Sequence, residues 1–289
     1  MASRLEKIIA EEEKKTSRQI SKEYNDALQS ALRKTRDFFK RADAVDKGRI
    51  KPPSGLKTEA QINGWKQAYK TRAAKQAAVV EKITDEMKQA GVKTRSRIVK
   101  SMTTIYDKTR KVTNELLNKT AKADLPEMSK RQIQSLLYGK GSISAFSKVA
   151  FNRLGNGQNV ASRLRREMAQ SIAKNESKDQ LLKRIMKATG AEESDAKRIM
   201  RTESTRIQSM AQQEAAEEHS METGRKAFKT WHCIFQNSRE THMDMDGQTV
   251  EINQTFQSPS GAELMYPGDD SAPADEVVNC QCYMEVHYE

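Results

Sequence analysis

Aromatic residues, cysteines and long apolar runs are all scarce in this chain of 289 residues. Phenylalanine, tryptophan and tyrosine together make up 6% of it, whereas charged residues make up 31%, a balance that favours long solvated helices over one large globular core. Three cysteines are too few for a disulfide framework, so we expect synthesis in a reducing compartment. No apolar run approaches the length of a membrane span, and the charged N-terminus predicts no signal peptide.

Charge is distributed unevenly along the chain. Residues 226–289 hold three basic and eleven acidic residues, a net charge of −8, and residues 1–225 carry +20. This asymmetry predicts a boundary near residue 225. A basic helical part attracts polyanions, of which nucleic acid is the commonest. The alternative is a set of solvated helix faces whose interleaved charges pair with one another.

The spacing of apolar residues predicts helices throughout the basic part. A first helix over residues 3–47 ends where Pro52 and Pro53 cannot continue it. A second stripe begins after a capping box at Thr58 and Gln61 and continues past Gly91, as one long helix or two in tandem. Each stripe is narrow, so a partner helix or another protein must cover it. The apolar residues of the second stripe include Ile62, Trp65, Tyr69, Val80, Ile83 and Met87.

Shorter helices are predicted between residue 125 and Gly224, one of them opened by a capping box at Ser177 and Gln180 and the last covering about residues 192–222. After Gly224 the pattern changes to short strand-like runs, KAFKTWHCIF, GQTVEIN and CYMEVHY, separated by glycine and proline turns.

The predicted fold is therefore mainly α, with an elongated helical N-terminal part and a small C-terminal α+β module. The predicted domains are a long-helix hairpin or rod at residues 1–124, a helical domain at 125–225 and the module at 226–289.

Every cysteine and histidine lies in the last quarter of the chain. If Cys280 and Cys282 lie on a strand, both sulfurs point to the same side and can bind one soft metal ion, with His242 as the third ligand. The alternative is that both cysteines are small core residues and His242 is a hydrogen-bonding loop residue. The candidates for a fourth ligand are His232, Cys233 and a nearby carboxylate.

No cofactor follows with certainty from the sequence; if a metal is bound, zinc is the expected ion, and it would supply folding energy to a small module. A thiol nucleophile formed by Cys280 or Cys282 with His242 and an aspartate is a further hypothesis, although nothing in the sequence marks an oxyanion hole. Arg201 and Glu203 are interpreted as an ion-pair network or as a contact to the module.

Several short motifs follow one another in the C-terminal part. They are Arg201 and Glu203 in RTESTR, Trp231, Arg239 three residues before His242, Asp246 with Gly247, and Pro267, Gly268 and Asp269 before the Asn-Cys-x-Cys that ends at Cys282. In this order they resemble the phage Mu F-like minor head proteins, also called head morphogenesis proteins, over about residues 125–286. The sequence departs from that pattern twice. The residues directly before Arg239, FQNS, include no acidic residue, and Gln281 replaces an arginine between the cysteines.

The resemblance implies a structural, non-enzymatic virion component made in the host cytoplasm. It implies a place in the capsid interior at the portal vertex of a tailed phage, and contacts with the portal protein, with packaged double-stranded DNA and with other capsid or scaffold proteins. Its role would lie in capsid assembly or genome delivery. Some family members carry fused toxin or ADP-ribosyltransferase domains, and since this sequence runs only to Glu289 we expect none here.

Two alternatives stay open at this point. One is an enzyme built on the C-terminal module, either thiol- or metal-dependent or toxin-like. The other is a DNA-binding protein with no role in the virion.

Overall fold

The computed structural model describes residues 2–70, 73–139, 151–174, 176–236 and 238–288. Its elements confirm the predicted fold class, because long helices occupy most of the chain up to residue 223 and short antiparallel strands follow them. Among the described residues, no helix combines the length and the apolar character that crossing a membrane requires.

Seven helices before the module have both ends within the described residues. They are α1 (Ala2–Lys34), α2 (Arg36–Asp46), α3 (Glu59–Lys70), α4 (Ala73–Leu117), α5 (Lys130–Tyr138), α6 (Gln158–Ala173) and α7 (Lys178–Thr223). Both predicted capping boxes are confirmed. The side chains of Gln61 and Gln180 accept from the backbone amides of Thr58 and Ser177, and the backbone amides of both glutamines donate to the hydroxyls of Thr58 and Ser177. These caps satisfy amides that have no partner within the helix.

The first predicted helix is interrupted at Thr35. The Thr35 hydroxyl donates to the carbonyl oxygen of Ala31 at 2.8 Å, and the residue leaves helical geometry with φ −104°. A side-chain hydroxyl that bonds to the preceding turn competes with the helix ladder and bends the chain. The prediction of a single helix over residues 3–47 was therefore wrong, and α1 and α2 replace it.

Gly91 lies inside α4, which is one continuous helix. A methyl group at this position would lie 2.3 Å from the backbone nitrogen of Gly155. Glycine is required here because the loop before α6 approaches the helix backbone too closely for any side chain. Likewise, α7 continues through Gly190 as one helix, although the sequence predicts two.

The second stripe is largely covered by the chain itself. Val80, Ile83 and Met87 are all buried, whereas Trp65 and Tyr69 on α3 are half-buried and pack against each other with ring centroids 5.6 Å apart. The buried part of the stripe serves the core of this protein, so it offers no surface to another one.

The module is built around a central strand. Strand β1 (Ala227–His232) pairs antiparallel with β2 (Thr249–Glu251) on one side and with β5 (Tyr283–Tyr288) on the other. A hairpin of β3 (Phe256–Gln257) and β4 (Glu263–Leu264), and the one-turn helices α8 (Glu240–Met243) and α9 (Ala274–Val277), fill the loops. Residues on β1 alternate between buried and half-buried, as expected for a strand with one face on the core.

The chain divides into two compact units. One comprises residues 1–18, 96–151 and 197–289, and therefore includes the whole module; the other comprises residues 19–95 and 152–196. Both units join segments that are distant in sequence. The predicted division into residues 1–124, 125–225 and 226–289 stays a prediction.

Candidate metal centre

His242, Cys280 and Cys282 lie together in the interior of the module. The Nδ1 atom of His242 is 3.5 Å from Sγ of Cys280 and 3.4 Å from Sγ of Cys282. All three side chains are buried, and their ligand atoms lie within 4.8 Å of one another. His242 is on α8. The two cysteines occupy the segment just before β5, and not the strand that the sequence analysis considered for them. The three residues proposed from the sequence are thus neighbours, and the presence of a metal stays a prediction.

The other imidazole nitrogen of His242 is held by Glu276. Nε2 lies 2.7 Å from a carboxylate oxygen of this buried residue on α9, and the Ser258 hydroxyl donates to the second oxygen at 3.4 Å. Burial raises the pKa of Glu276, but hydrogen bonds from Ser260 and His242 outweigh it and hold the pKa below its usual value. A charged carboxylate at Nε2 places the proton there and leaves the Nδ1 lone pair facing the sulfurs.

Glu276 is a site residue that the sequence analysis missed. It lies 34 residues after His242, in an acidic segment with Asp269, Asp270 and Asp275. Nothing in its spacing distinguishes it from those neighbours. Only its burial against His242 does.

A hydrogen bond between the two thiols of the Cys-x-Cys shifts their pKa values in opposite directions. A hydrogen bond from Cys282 lowers the pKa of Cys280 against the opposing effect of burial, and the same bond raises the pKa of Cys282. One sulfur of the pair therefore becomes a thiolate more readily than the other. A thiolate is the form in which cysteine binds metals.

Cys233 and His232 occupy opposite faces of the chain at the end of β1. Cys233 is buried in the same apolar cluster as Cys280 and Cys282, but it lies outside the group of three whose ligand atoms are within 4.8 Å of one another. His232 stacks on Tyr283, with ring centroids 5.0 Å apart, and its Nε2 lies 3.5 Å from the Glu285 carboxylate. Of the two residues named as candidates for the fourth ligand, Cys233 lies in the cluster beside the site and His232 faces away from it.

Aromatic and aliphatic side chains surround the site. The Trp231 ring meets His242 and Phe256 edge-on, each at a centroid distance of 5.2 Å, and Met245 and Leu264 belong to the same buried cluster. A groove of about 400 Å³, whose lining includes Glu6 and Glu13, reaches Cys282. The site is therefore dry on most sides and approachable at one sulfur.

Arg239 and Asp246 position the chain around this centre. The Arg239 guanidinium donates to the backbone carbonyl oxygens of Glu276 and Val278, the latter at 2.8 Å. Asp246, followed by Gly247 in left-handed geometry, accepts from the backbone amide of Cys233 at 2.8 Å. Arg239 thus fixes the backbone just before Cys280, and Asp246 fixes the backbone of Cys233. Cys233, His242, Cys280 and Cys282 are called the Cys/His cluster below.

The Pro267-Gly268-Asp269 turn packs against the backbone of α7. The Asp269 carboxylate accepts from the amides of Met265 at 2.7 Å and Ser271 at 2.9 Å. Gly268 has φ +81°, and a methyl group on it would lie 3.0 Å from the backbone nitrogen of Arg206. The turn requires glycine both for its conformation and for its close approach to the helix.

The RTESTR segment of α7 supports the loop that carries the cysteines. Arg201 donates to the side chain of Asn279 at 3.0 Å, and Thr202 accepts from the Asn279 amide at 2.9 Å. Thr205 donates to the carbonyl oxygen of Cys280 at 2.8 Å. Between these contacts, Glu203 and Arg206 form a buried ion pair at 2.9 Å. Both sequence interpretations of this segment, an ion pair and a contact to the module, agree with this arrangement.

Comparisons with known proteins point to one family. Residues 162–285 match the model of the Phage Mu protein F like protein family. The NAD(+)–arginine ADP-ribosyltransferase EFV of Enterococcus faecalis is 31% identical over 142 residues, which are 44% of this chain and 28% of that protein. The uncharacterized protein YqbB of Bacillus subtilis is 39% identical over 49 residues, 17% of this chain and 16% of that protein. This chain spans less than a third of either relative, and no solved structure matches it.

The matched range contains every motif residue from Arg201 to Cys282, and the structure gives each of them a place in or beside the module. Residues 162–285 of this protein therefore match the phage Mu protein F like family, and this match supports a phage Mu F-like head morphogenesis protein.

Proposed function

We propose that this protein is a structural minor head component that acts at the portal vertex of a tailed phage, in capsid assembly or genome delivery. The family match supports the head morphogenesis role. The structural role is supported by the hydrogen bonds and ion pairs that the charged motif residues form. Each of them bonds to the chain itself: Arg201, Glu203, Arg239, Asp246 and Asp269.

An enzymatic function is the second candidate, favoured by two observations. The name of the Enterococcus relative describes an arginine ADP-ribosyltransferase. In addition, a cysteine, His242 and Glu276 have the order of a thiol–imidazole–carboxylate triad. Against a thiol nucleophile, both sulfurs are buried, and the pKa of Cys282, which borders the groove, is raised by its bond to Cys280 and not lowered.

The enzymatic candidate has a direct test. Incubation of the full chain with labelled NAD⁺ and an arginine-containing acceptor would transfer label if the protein were an ADP-ribosyltransferase. A structural component leaves NAD⁺ intact and the acceptor unlabelled.

Contact with packaged DNA would use exposed basic residues of the helical part. Several exposed basic residues lie on the surface of one compact unit, on α6, in the loop after it and on α7. Their neighbour Arg184 instead bonds Glu167 at 2.8 Å and Glu176 at 2.6 Å, so its charge is compensated within the fold. The exposed residues are Arg165, Lys174, Lys183 and Lys187. Non-specific attraction to phosphates needs no further feature.

Contact with the portal would use apolar side chains that the fold leaves at the surface, because the buried part of the second stripe is already covered. Ile234 and Phe235 follow β1 and are 37% and 59% exposed. Adjacent exposed apolar residues are typical of interaction sites. They also adjoin Cys233, so the organisation of the Cys/His cluster would determine how they are presented.

The location of the protein tests the proposed function. Deletion of its gene from the phage that encodes it should lower the yield of infectious particles, and mass spectrometry of purified, DNA-filled particles should detect the protein at low copy number. A density map of those particles should place it at the portal vertex. Its absence from purified particles would instead support a DNA-binding protein without a role in the virion.

A further inference from the structure

We propose that His242, Cys280, Cys282 and Cys233 bind a structural zinc ion in the C-terminal module. The inference goes beyond the proposed function, since a head protein has no general need for a metal. It rests on the distances between donor atoms, on the hydrogen bond behind the imidazole and on the position of the third cysteine.

The first argument is the spacing of the donor atoms. Zinc bonds of about 2.0–2.1 Å to nitrogen and about 2.3 Å to sulfur, at tetrahedral angles, separate the two donors by about 3.6 Å. Nδ1 of His242 lies 3.5 Å from one sulfur and 3.4 Å from the other. A zinc ion between these atoms therefore requires little movement of the side chains.

The second argument is the carboxylate behind the histidine. A histidine that binds a metal usually donates its other N–H to a carboxylate or carbonyl oxygen, which fixes its tautomer and strengthens it as a ligand. Glu276 occupies this place, 2.7 Å from Nε2 and buried. Ser258 holds its other oxygen, and Arg239 holds its backbone carbonyl. A loop histidine that merely fills space needs no such support.

The third argument concerns the fourth position of the coordination shell. Cys233 is buried in the same apolar cluster as Cys282 and has its backbone amide fixed by Asp246. Its sulfur lies outside the group of three close donors and would move toward them to complete the shell. A set of three thiolates and one imidazole is a common structural zinc site, and soft sulfur ligands select zinc over magnesium or calcium. The chain's three cysteines are all buried in one apolar cluster.

The module also has the kind of fold that such an ion stabilises. Three of its five strands have only two or three residues, and its helices α8 and α9 are single turns. A small unit with little regular structure commonly depends on a metal or a disulfide. One ion would join the end of β1, helix α8 and the segment before β5.

The experiment uses the full chain, purified with a thiol reductant and without chelator. Elemental analysis should find about one zinc per chain. Replacement of zinc by Co²⁺ should give the intense visible bands of a tetrahedral site together with a sulfur-to-cobalt charge-transfer band. Cys280→Ser and Cys282→Ser should abolish the bands, and Cys233→Ser should weaken the charge-transfer band. The matched control is His232→Gln. It changes the residue next to Cys233, whose ring stacks on Tyr283, and should leave the cobalt spectrum unchanged.

A milder variant separates a site from general damage to the fold. Glu276→Gln keeps the shape of the side chain but removes its charge, and should weaken zinc binding by about 10–100-fold in competition with a chromophoric chelator. Reduced wild-type protein that contains well under one zinc per chain and gives no cobalt spectrum would overturn the proposal, whether or not any variant folds. So would cobalt bands that persist in Cys282→Ser, or a native disulfide between two of the three cysteines.

Discussion

The ammonium group of Lys229 lies 3.1 Å from the amide oxygen of Gln213, in the interior of the protein. It also donates to the backbone carbonyl oxygens of Ile252 at 2.9 Å and Met265 at 2.7 Å. One cation on β1 thereby ties the strand to α7 and to two loops of the module. Burial lowers the pKa of Lys229 to about 8, against the opposing attraction of Glu217 and Asp269.

This buried lysine should make stability depend on pH. In the unfolded chain a lysine titrates near pH 10.4, so between about pH 8 and 10.4 the unfolded state binds more protons than the native state. The free energy of unfolding should therefore rise across this window, by roughly 2–3 kcal/mol from this group. Urea denaturation of the wild type at pH 7.5 and pH 10 measures the change.

The variant Lys229→Met should remove that rise. It should also lower the free energy of unfolding at pH 7.5 by about 2–4 kcal/mol, because three buried acceptors lose their donor. The control Lys226→Met alters an exposed lysine that pairs with Glu251 at 3.2 Å, and should change stability by less than about 1 kcal/mol at either pH. An equal pH response in the wild type and Lys229→Met would contradict the assignment.

Gly268→Ala should destabilise the module more than a glycine substitution in an open turn. At Gly268 a positive φ and a 3.0 Å approach to Arg206 act together, so we expect a loss of about 2–4 kcal/mol. At Gly261, φ is +85° and nothing lies within 4 Å of the added methyl group, so Gly261→Ala should cost only about 1–2 kcal/mol. Thermal unfolding of the two variants side by side isolates the contribution of the contact with α7.

Arg239→Lys should loosen the segment that holds Glu276 although the charge is kept. A planar guanidinium reaches two carbonyl oxygens at once, and an ammonium group cannot reproduce that geometry. We expect a loss of about 1–3 kcal/mol and faster hydrogen exchange in residues 274–282. Glu240→Gln changes the exposed neighbour on the same helical turn and should leave exchange in this segment as it is.

Replacement of Arg165, Lys174, Lys183 and Lys187 by glutamine should weaken binding of duplex DNA. If two to four of them contact phosphates, the slope of log K against log salt should become shallower by about 2–4. A control with the same loss of charge changes Lys7, Lys14, Lys15 and Arg18, which are interleaved with acidic residues on α1. Filter binding at several salt concentrations compares the two, and an equal loss in both would show attraction by net charge alone.

Ile234→Ser combined with Phe235→Ser should reduce co-purification with the cognate portal protein. Removal of two adjacent exposed apolar side chains lowers the apolar area available to a partner but leaves the core unchanged. Met221→Ser removes a side chain that is 81% exposed at the end of α7 and should bind like the wild type. Portal binding that is unaffected by the double substitution would move the contact to another surface.

The sequence alone predicted most of the local structure. Capping boxes at Thr58 and Ser177, the break at Pro52 and the end of the last helix before Gly224 all depend on a few neighbouring residues, and all are confirmed. The order of motifs from Arg201 to Cys282 likewise indicated the family. The Cys-x-Cys directed attention to His242 because metal ligands are recognisable by residue type.

Only the tertiary structure decided the relationships between residues that are distant in the sequence. α4 continues through Gly91 because a loop packs on its backbone, and Lys229 can be buried because Gln213 and two loop carbonyls accept its hydrogen bonds. Glu276 reaches His242 from 34 positions away, while three nearby acidic residues do not share its place. Periodicity and caps are short-range properties that a sequence displays directly. The meeting of side chains across loops depends on how the whole module packs, and no local pattern records it.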